Sequence, residues 1–169
     1  MDTNKHLRPG VKIISGGQTG ADRAALDFAI AHGLDHGGWC PRGRLAEDGR
    51  IAVAYQLTET PGEELNQRTE WNVRDSEATV IFSIAPGLTG GSRKTVEFAI
   101  QQKKPWLHLS RTLAGSEATE RLIEFLSKYK PARLNVAGTR DSEEPEVGGF
   151  VREVLEDLWT KILVRRKEL

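Results

Sequence analysis

The chain has 169 residues, with 24 basic and 24 acidic side chains, so its formal net charge is zero. This length predicts one domain that can bury a core, and the balanced charge argues against general affinity for nucleic acid. Cys40 is the single cysteine, which excludes an internal disulfide and fits a reducing compartment.

The start of the chain and its hydropathy indicate a cytoplasmic protein without a membrane partner. The first ten residues are polar and lack the apolar stretch of a secretory signal. No apolar run approaches the roughly 18 residues that a membrane helix needs. We expect a flexible N-terminus over residues 1–10, a single domain over residues 11–163 and a charged tail over residues 164–169.

Short β-branched runs alternate along the chain with longer segments of helical period. A strand over Val11–Ser15 precedes a helix from Gly20 to His32, and a weak second strand is predicted over Asp35–Cys40. The segment Pro41–Gly62 has little periodicity and is long for a connector, which favours a functional loop. The remaining predicted elements are a helix over Glu63–Ser76, a strand over Ala78–Ser83, a helix from Ser92 to Gln102, a strand over Pro105–Leu109, a helix over Ser116–Tyr129, a strand over Arg133–Ala137 and a helix over Phe150–Leu163. This order predicts a doubly wound, three-layer α/β fold with a Rossmann-like parallel sheet of about five strands.

A glycine cluster, Gly16-Gly17-Gln18-Thr19-Gly20, comes directly after the first predicted strand and opens a helix. Glycines allow close approach of the backbone to a ligand, and the N–H groups at a helix N-terminus attract anions. The cluster lacks the G-x-G-x-x-G spacing of dinucleotide-binding loops and the Gly-Lys-Ser/Thr of a P-loop. It predicts a phosphate- or oxyanion-binding loop of another kind.

Three glycine-bearing motifs follow predicted strands: Gly16–Gly20, Gly87–Ser92 and Asn135–Arg140. Because ligands of doubly wound sheets bind beyond the carboxyl ends of the strands, these motifs predict one ligand site at that edge. The second motif, with Gly90, Gly91 and Ser92 after a threonine, repeats the arrangement of the first, although a tight turn alone would also use such glycines.

Several charged and polar residues are candidates for the same site. Arg42 and Arg44 suit phosphate recognition, with solvated loop charges as the alternative interpretation. A helical period places Arg68, Trp71, Asn72 and Asp75 on one face, and these polar groups indicate a ligand unless the face is half exposed. We expect no metal ligated by the protein, because the four histidines and the pair Glu47-Asp48 lack metal-site spacing.

The sequence resembles the molybdenum carrier protein family, a Rossmann-like group, over residues 11–163. The resemblance is carried by five ordered blocks, which are Ile14-Ser15-Gly16-Gly17-Gln18-Thr19-Gly20-Ala21-Asp22-Arg23, Trp39-Cys40-Pro41-Arg42-Gly43-Arg44-Leu45-Ala46-Glu47-Asp48-Gly49, Arg68-Thr69-Glu70-Trp71-Asn72-Val73-Arg74-Asp75-Ser76, Leu88-Thr89-Gly90-Gly91-Ser92 and Leu134-Asn135-Val136-Ala137-Gly138. The family name implies binding of molybdenum cofactor, a pterin phosphate that carries an oxo-metal.

The wider group includes lysine-decarboxylase-like phosphoribohydrolases, which cleave nucleoside monophosphates. The resemblance to them places Arg68 at the position of their helix arginine and Glu97 at that of their loop glutamate. The loop here departs from the hydrolase pattern, since Thr89 replaces a proline and Arg93-Lys94 stands where a third glycine belongs. This departure favours a binding protein over the alternative, a nucleoside-monophosphate N-glycoside hydrolase.

We therefore expect a molybdenum cofactor carrier that holds a phosphorylated pterin or a similar small anionic ligand and has no catalytic residues. Trp39 and Trp71 are candidates for stacking on a flat ring, and Arg68 and Glu97 belong to the hydrolase alternative. The oligomeric state is open and includes a homo-oligomer. The residues expected to bind the phosphate or the rest of the ligand are Gly16, Gly17, Gln18, Thr19, Gly20, Arg42, Arg44, Gly90, Gly91 and Ser92.

Overall fold

Alternating strands and helices build a three-layer α/β structure, as the sequence predicts. The computed structural model describes residues 11–167. The strands are β1 (Lys12–Ile14), β2 (His36–Gly37), β3 (Trp39–Cys40), β4 (Leu45–Ala46), β5 (Gly49–Arg50), β6 (Thr58–Glu59), β7 (Ala78–Ser83), β8 (Trp106–Ser110) and β9 (Arg133–Gly138). The helices are α1 (Ala21–Ala31), α2 (Leu65–Arg74), α3 (Gly90–Gln101), α4 (Arg111–Ala114), α5 (Ala118–Tyr129) and α6 (Val147–Lys167).

Five strands form the central sheet in the order β2-β1-β9-β7-β8, and every neighbouring pair is parallel. The chain moves outward from β1 to β2 on one side of the sheet and from β7 to β8 on the other. It then returns to place β9 between β1 and β7. The carboxyl ends of these three central strands therefore form the crevice in which a doubly wound sheet places its ligand.

The two faces of the sheet carry different helices. On one face α1, α5 and α6 pack together over the main apolar core, and on the other α2 packs against α3. Strand β7 shows how the sequence sets this arrangement, because all six of its residues are buried. Val80 and Phe82 point into the main core. Because side chains alternate along a strand, Thr79 and Ile81 face the layer of α2 and α3.

The predicted second strand, Asp35–Cys40, is two short strands in different sheets. Gly38 separates them with a φ of +132°, a backbone conformation that breaks a regular strand. Strand β2 extends the central sheet, whereas β3 pairs with β6. The predicted loop Pro41–Gly62 contains β6 and a small hairpin of β4 and β5. Two-residue strands carry too little periodicity to be recognised in a sequence.

Two helices also differ from their predicted bounds. The helix predicted over Ser116–Tyr129 is preceded by α4 and a 3-10 turn, and α5 itself begins at Ala118. Helix α6 begins before Phe150 and continues beyond Leu163 into the predicted charged tail. The flexible N-terminus predicted over residues 1–10 and the last two residues of that tail lie outside the described residues. Within the described chain, none of the helices has the length and apolar character needed to cross a membrane.

Candidate functional site

A cavity of about 160 Å³ opens at the carboxyl edge of the sheet, between the end of β1, the end of β9 and the N-terminal parts of α2 and α3. This is the crevice that the strand order predicts. Its wall is mostly polar. The residues that line it are Gly16, Gln18, Asp22, Leu65, Asn66, Arg68, Thr69, Asn72, Gly91, Ser92, Thr95, Asn135, Ala137, Gly138, Arg140 and Glu143.

Acceptors within the protein already hold two N–H groups of the first glycine loop and the N–H of Ala21, the first residue of α1. The N–H of Gln18 donates to Oδ2 of Asp22 at 3.2 Å. The N–H of Thr19 donates to Oε1 of Gln18 at 3.1 Å, and that of Ala21 to the carbonyl of Thr139 at 3.1 Å. Gly16 and Gln18 line the cavity, whereas Gly17, Thr19 and Gly20 do not. Only part of this predicted phosphate loop therefore faces the cavity.

The side chain of Thr19 is also engaged, by the loop that follows β3. Its hydroxyl donates to the carboxylate of Glu47, which also accepts from the hydroxyl of Ser142 at 2.5 Å. Arg23 forms an ion pair with Asp48. The predicted functional loop thus fastens the first glycine loop to the segment after β9.

The second glycine loop differs from the first because its backbone N–H groups are not bound to acceptors of the described residues. Helix α3 begins at Gly90 with no side-chain cap, and its first intrahelical bond runs from the N–H of Arg93 to the carbonyl of Thr89. The N–H groups of Gly90, Gly91 and Ser92 have no acceptor among the described residues. Gly91 and Ser92 line the cavity, so this helix N-terminus presents free donors and the positive end of its dipole there.

Ser92 adds a hydroxyl to this group of donors. Its side chain is buried, with only 4% of the residue exposed. Within the described part of the chain, no hydrogen bond to this hydroxyl is formed. No side-chain nitrogen or oxygen atom of the described residues is both fully buried and without a hydrogen-bond partner, so this hydroxyl is open to the cavity that Ser92 lines. Ser92 therefore offers a free hydroxyl to an occupant of the cavity.

Arg68 supplies the positive charge of the site. It lies on α2 and is 8% exposed, and its Nη1 donates to the carbonyl of Gly16 at 2.8 Å. Within the described residues, its other guanidinium N–H groups have no acceptor and the side chain forms no ion pair. Burial lowers the pKa of Arg68, and the negative charge of Asp22 opposes that effect. A buried guanidinium with free donors is suited to an anionic ligand.

Asp22 is the carboxyl group beside this cation. It lies in the first turn of α1 and is 9% exposed. Burial raises the pKa of Asp22, while the charge of Arg68 and the N–H of Gln18 oppose the rise. The sequence analysis did not select Asp22, because an acidic residue in a first helical turn is explained by capping alone.

Arg42 and Arg44, which the sequence assigns to the ligand, lie outside the cavity. Arg42 is exposed, with Nη2 at 3.9 Å from Glu63. Arg44 is buried and donates to four backbone carbonyls of its own loop. These acceptors are the carbonyls of Ile51 (3.0 Å), Leu57 (3.3 Å), Ala52 (2.8 Å) and Tyr55 (2.7 Å). The structure thus gives Arg44 a role in holding the loop together.

The two candidate stacking residues pack against each other. The rings of Trp39 and Trp71 meet edge to face, with 4.8 Å between their centroids, and neither lines the cavity. The Trp39 indole N–H donates to Asp75 at 2.7 Å. Asn72 holds the backbone of Trp39, accepting from its N–H at 2.7 Å and donating to its carbonyl at 3.0 Å. Most of the predicted polar face of α2 therefore anchors β3.

The hydrolase alternative needs Glu97 and Arg68 at one site, and the structure does not bring them together. Glu97 lies outside the cavity and pairs with Lys94 at 3.1 Å and with Arg93 at 3.6 Å. Among residues 11–167, no group of three or more His, Cys, Asp or Glu side chains is placed to hold a metal ion.

Besides Asp22, the sequence analysis missed Thr95 and Glu143 in the cavity wall. Thr95 follows Ser92 by one helical turn, so a helical projection from the glycine loop would have found it. Glu143 pairs with Arg140 at 2.9 Å in the segment after β9, where no periodic pattern exists. Asn135, in the third predicted motif, is 2% exposed and donates from Nδ2 to the hydroxyl of Thr79 at 3.3 Å.

Known proteins resemble this chain in sequence and in structure. A family model described as the circularly permutated YpsA SLOG family matches residues 13–159. The crystal structure of a putative molybdenum carrier protein from Syntrophus aciditrophicus SB is 46% identical in sequence and superposes with a TM-score of 0.86. The match covers 89% of this chain and 96% of that one, and it confirms the resemblance predicted from the five sequence blocks. No curated protein matches the chain. Because the family model spans most of the sequence, the chain belongs to the circularly permutated YpsA SLOG family.

Proposed function

We propose that the protein is a carrier that binds a small anionic ligand of the molybdenum-cofactor class in the cavity at the carboxyl edge of the sheet. The proposal depends mainly on the environment of Arg68. Its buried guanidinium donates one hydrogen bond to the carbonyl of Gly16 and lines the cavity with its remaining donors free. Burial removes the water that would otherwise solvate this cation. An anion bound beside it compensates for that loss through charge-assisted hydrogen bonds. The name of the Syntrophus protein supports a molybdenum-related ligand.

The phosphate of the ligand is bound between Arg68 and the N-terminus of α3. The free N–H groups of Gly91 and Ser92 and the Ser92 hydroxyl line the same cavity as the guanidinium. Together they supply neutral and charged donors, which is the combination that phosphate groups meet at helix N-termini. Of the two predicted glycine loops, we assign the phosphate to the second, because the N–H groups of Gln18 and Thr19 in the first, and that of Ala21 after it, already have protein acceptors.

The organic part of the ligand lies toward the polar wall rather than between aromatic rings. Trp39 and Trp71 are packed on each other outside the cavity, so they offer no platform for a pterin ring. Asn135 and Glu143 line the wall and can accept hydrogen bonds from the N–H groups of a heterocycle. The residues present thus fit a phosphorylated heterocycle held by hydrogen bonds.

The test is native mass spectrometry of the protein purified without denaturation, followed by titration with inorganic phosphate. We expect a bound mass in the cofactor class and a weaker phosphate complex. In Arg68→Met both should be lost, with affinity falling at least about tenfold because a charge-assisted hydrogen bond is removed.

Arg74→Met is the matched control, since Arg74 lies on the same helix but is exposed and paired with Asp75 at 2.8 Å. It should bind as the unaltered protein does. Equal affinity in Arg68→Met and in the unaltered protein would contradict the assignment of the site. Release of free base from a nucleoside monophosphate over many turnovers would replace the carrier with the hydrolase.

A further inference from the structure

The cavity contains an acceptor among the donors proposed to bind the anion. Asp22 and Arg68 both line it, and both reach the same point beside Gly16. A Cβ atom on Gly16 would lie 2.8 Å from Nη1 of Arg68 and 2.9 Å from Oδ2 of Asp22. An anion that contacts the guanidinium at this end of the cavity therefore also meets a carboxyl group.

A carboxylate and an oxyanion repel each other unless one proton lies between them. An ionised carboxylate has only acceptor atoms, and so has a fully deprotonated tetrahedral oxyanion. The proton can come from the ligand, as from monohydrogen phosphate, or it can be taken up by the carboxyl group. Sulfate and molybdate carry no proton at neutral pH, whereas inorganic phosphate still carries one. A phosphate monoester takes up its last proton at about pH 6, so the monoester can bring the shared proton only around and below that pH, and at higher pH the carboxyl group must supply it.

We propose that Asp22 determines the specificity of the site, selecting a phosphate group that can share a proton with it over sulfate, molybdate and other oxyanions that bring none. The proposal rests on the proposed function, because it assumes that the anion binds beside Arg68. It names the cargo as the phosphate end of an organic ligand, in preference to free molybdate.

The charged groups around Asp22 determine how pH acts on this selection. Arg68 faces it from α2, and Arg140 and Glu143 line the cavity from the segment after β9. Helix α3 contributes Ser92 and Thr95, which carry no charge. Because burial raises the pKa of Asp22, the carboxyl group can take up the shared proton when the ligand lacks one. Sulfate and molybdate should then bind more weakly as the pH rises, while the affinity for monohydrogen phosphate stays nearly constant.

Isothermal titration of the full chain with inorganic phosphate, sulfate and molybdate, at constant ionic strength and at several pH values from neutral upward, tests the proposal. The unaltered protein should prefer phosphate at least about tenfold, the factor expected when a buried acceptor faces another acceptor. In Asp22→Asn the amide donates to any oxyanion, so the three affinities should converge and lose their different pH dependences.

Asp27→Asn is the matched control, because Asp27 lies on the same helix outside this cavity and accepts from Tyr55 at 2.6 Å. It should keep the preference for phosphate. If Asp22→Asn does not fold, the pH series of the unaltered protein decides alone, since equal pH dependence for the three anions overturns the proposal. If the unaltered protein binds the three anions equally and Arg68→Met binds none of them, the role of Asp22 is overturned. The proposed function is then still supported. Failure of all three anions to bind overturns both.

Discussion

Arg68 and Asp22 meet beside the α-carbon of Gly16, where each side chain comes within 3 Å of the place that a Cβ atom would occupy. Glycine is therefore required at position 16 because a larger residue would collide with these two side chains. The buried cation and the buried carboxyl group can share one wall of the cavity only because residue 16 leaves that space empty.

Substitution Gly16→Ala should remove anion binding and leave the fold. The methyl group would displace the guanidinium of Arg68 and break its 2.8 Å bond to the carbonyl of residue 16. We expect the affinity for inorganic phosphate to fall at least about tenfold, since misplacement of a binding group by about 1 Å has effects of this order or larger. Titration calorimetry measures the affinity. Gly149→Ala is the control, because apart from its chain neighbours and the backbone of its own helix no described atom lies within 4 Å of the added methyl group, and it should bind normally.

The neighbouring substitution Gly17→Val should act on stability instead. Gly17 has a φ of +77°, and a Cβ there would lie 2.5 Å from Cδ1 of Leu57 and 3.1 Å from Cδ1 of Ile51. Strain of the backbone and overpacking of the loop should lower the free energy of unfolding by about 1–3 kcal/mol each. Chemical unfolding followed by circular dichroism measures this change. A variant as stable as the unaltered protein that has lost phosphate binding would contradict the assignment of Gly17 to the packing of the loop.

Much of the fold could be predicted from the sequence because its strands and helices have strong local patterns. Strand β7 coincides with the predicted Ala78–Ser83, and the parallel sheet of about five strands is confirmed. The two-residue strands β3 and β6 could not be predicted, since their pairing depends on residues that are distant in sequence. The carboxyl edge of the sheet followed from strand order alone, and the cavity lies there.

The direction of individual side chains was the part that the sequence could not supply. Arg44 and Arg68 are both arginines that the sequence offers as candidates for the same site. One donates to four carbonyls of its own loop, and the other leaves most of its donors for the cavity. The two glycine loops look alike in sequence, yet the side chains of Asp22 and Gln18 accept from two N–H groups of the first, whereas the N–H groups of Gly90, Gly91 and Ser92 have no acceptor among the described residues. Such differences arise from tertiary placement, which no local pattern records.

Removal of the Ser92 hydroxyl should weaken phosphate binding without a cost in stability. The hydroxyl is open to the cavity and has no hydrogen-bond partner in the described part of the chain, so Ser92→Ala removes a donor to the anion and no internal hydrogen bond. We expect the affinity to fall about three- to tenfold, the effect of one neutral hydrogen bond.

Ser76→Ala is the opposite case. Ser76 is 1% exposed and donates to the carbonyl of Asn72 at 2.8 Å, so its loss should cost about 1 kcal/mol of stability and leave binding unchanged. Thermal unfolding and titration of both variants separate the two roles. A loss of stability in Ser92→Ala equal to that in Ser76→Ala would show that the Ser92 hydroxyl has an internal structural role.

Asp75 should make the stability of the protein depend on pH in the acid range. The hydrogen bond from Arg74, followed by that from the Trp39 indole, lowers the pKa of Asp75 from 3.8 to about 2. Because the folded state holds the carboxylate more favourably than the unfolded state does, this group stabilises the protein fully above the unfolded pKa of 3.8. Its contribution is lost as the pH falls from 3.8 toward about 2.

The difference in unfolding free energy between the unaltered protein and Asp75→Asn should therefore be constant above pH 3.8 and shrink between pH 3.8 and about 2. Since the Asp75 side chain is 37% exposed, the difference should be small. Urea unfolding followed by tryptophan fluorescence measures it at each pH. In Arg74→Met the contribution should be smaller and its loss should be complete nearer the ordinary pKa of 3.8, because the larger cause of the shift is gone. A difference that persists undiminished to about pH 2 would contradict this account of Asp75.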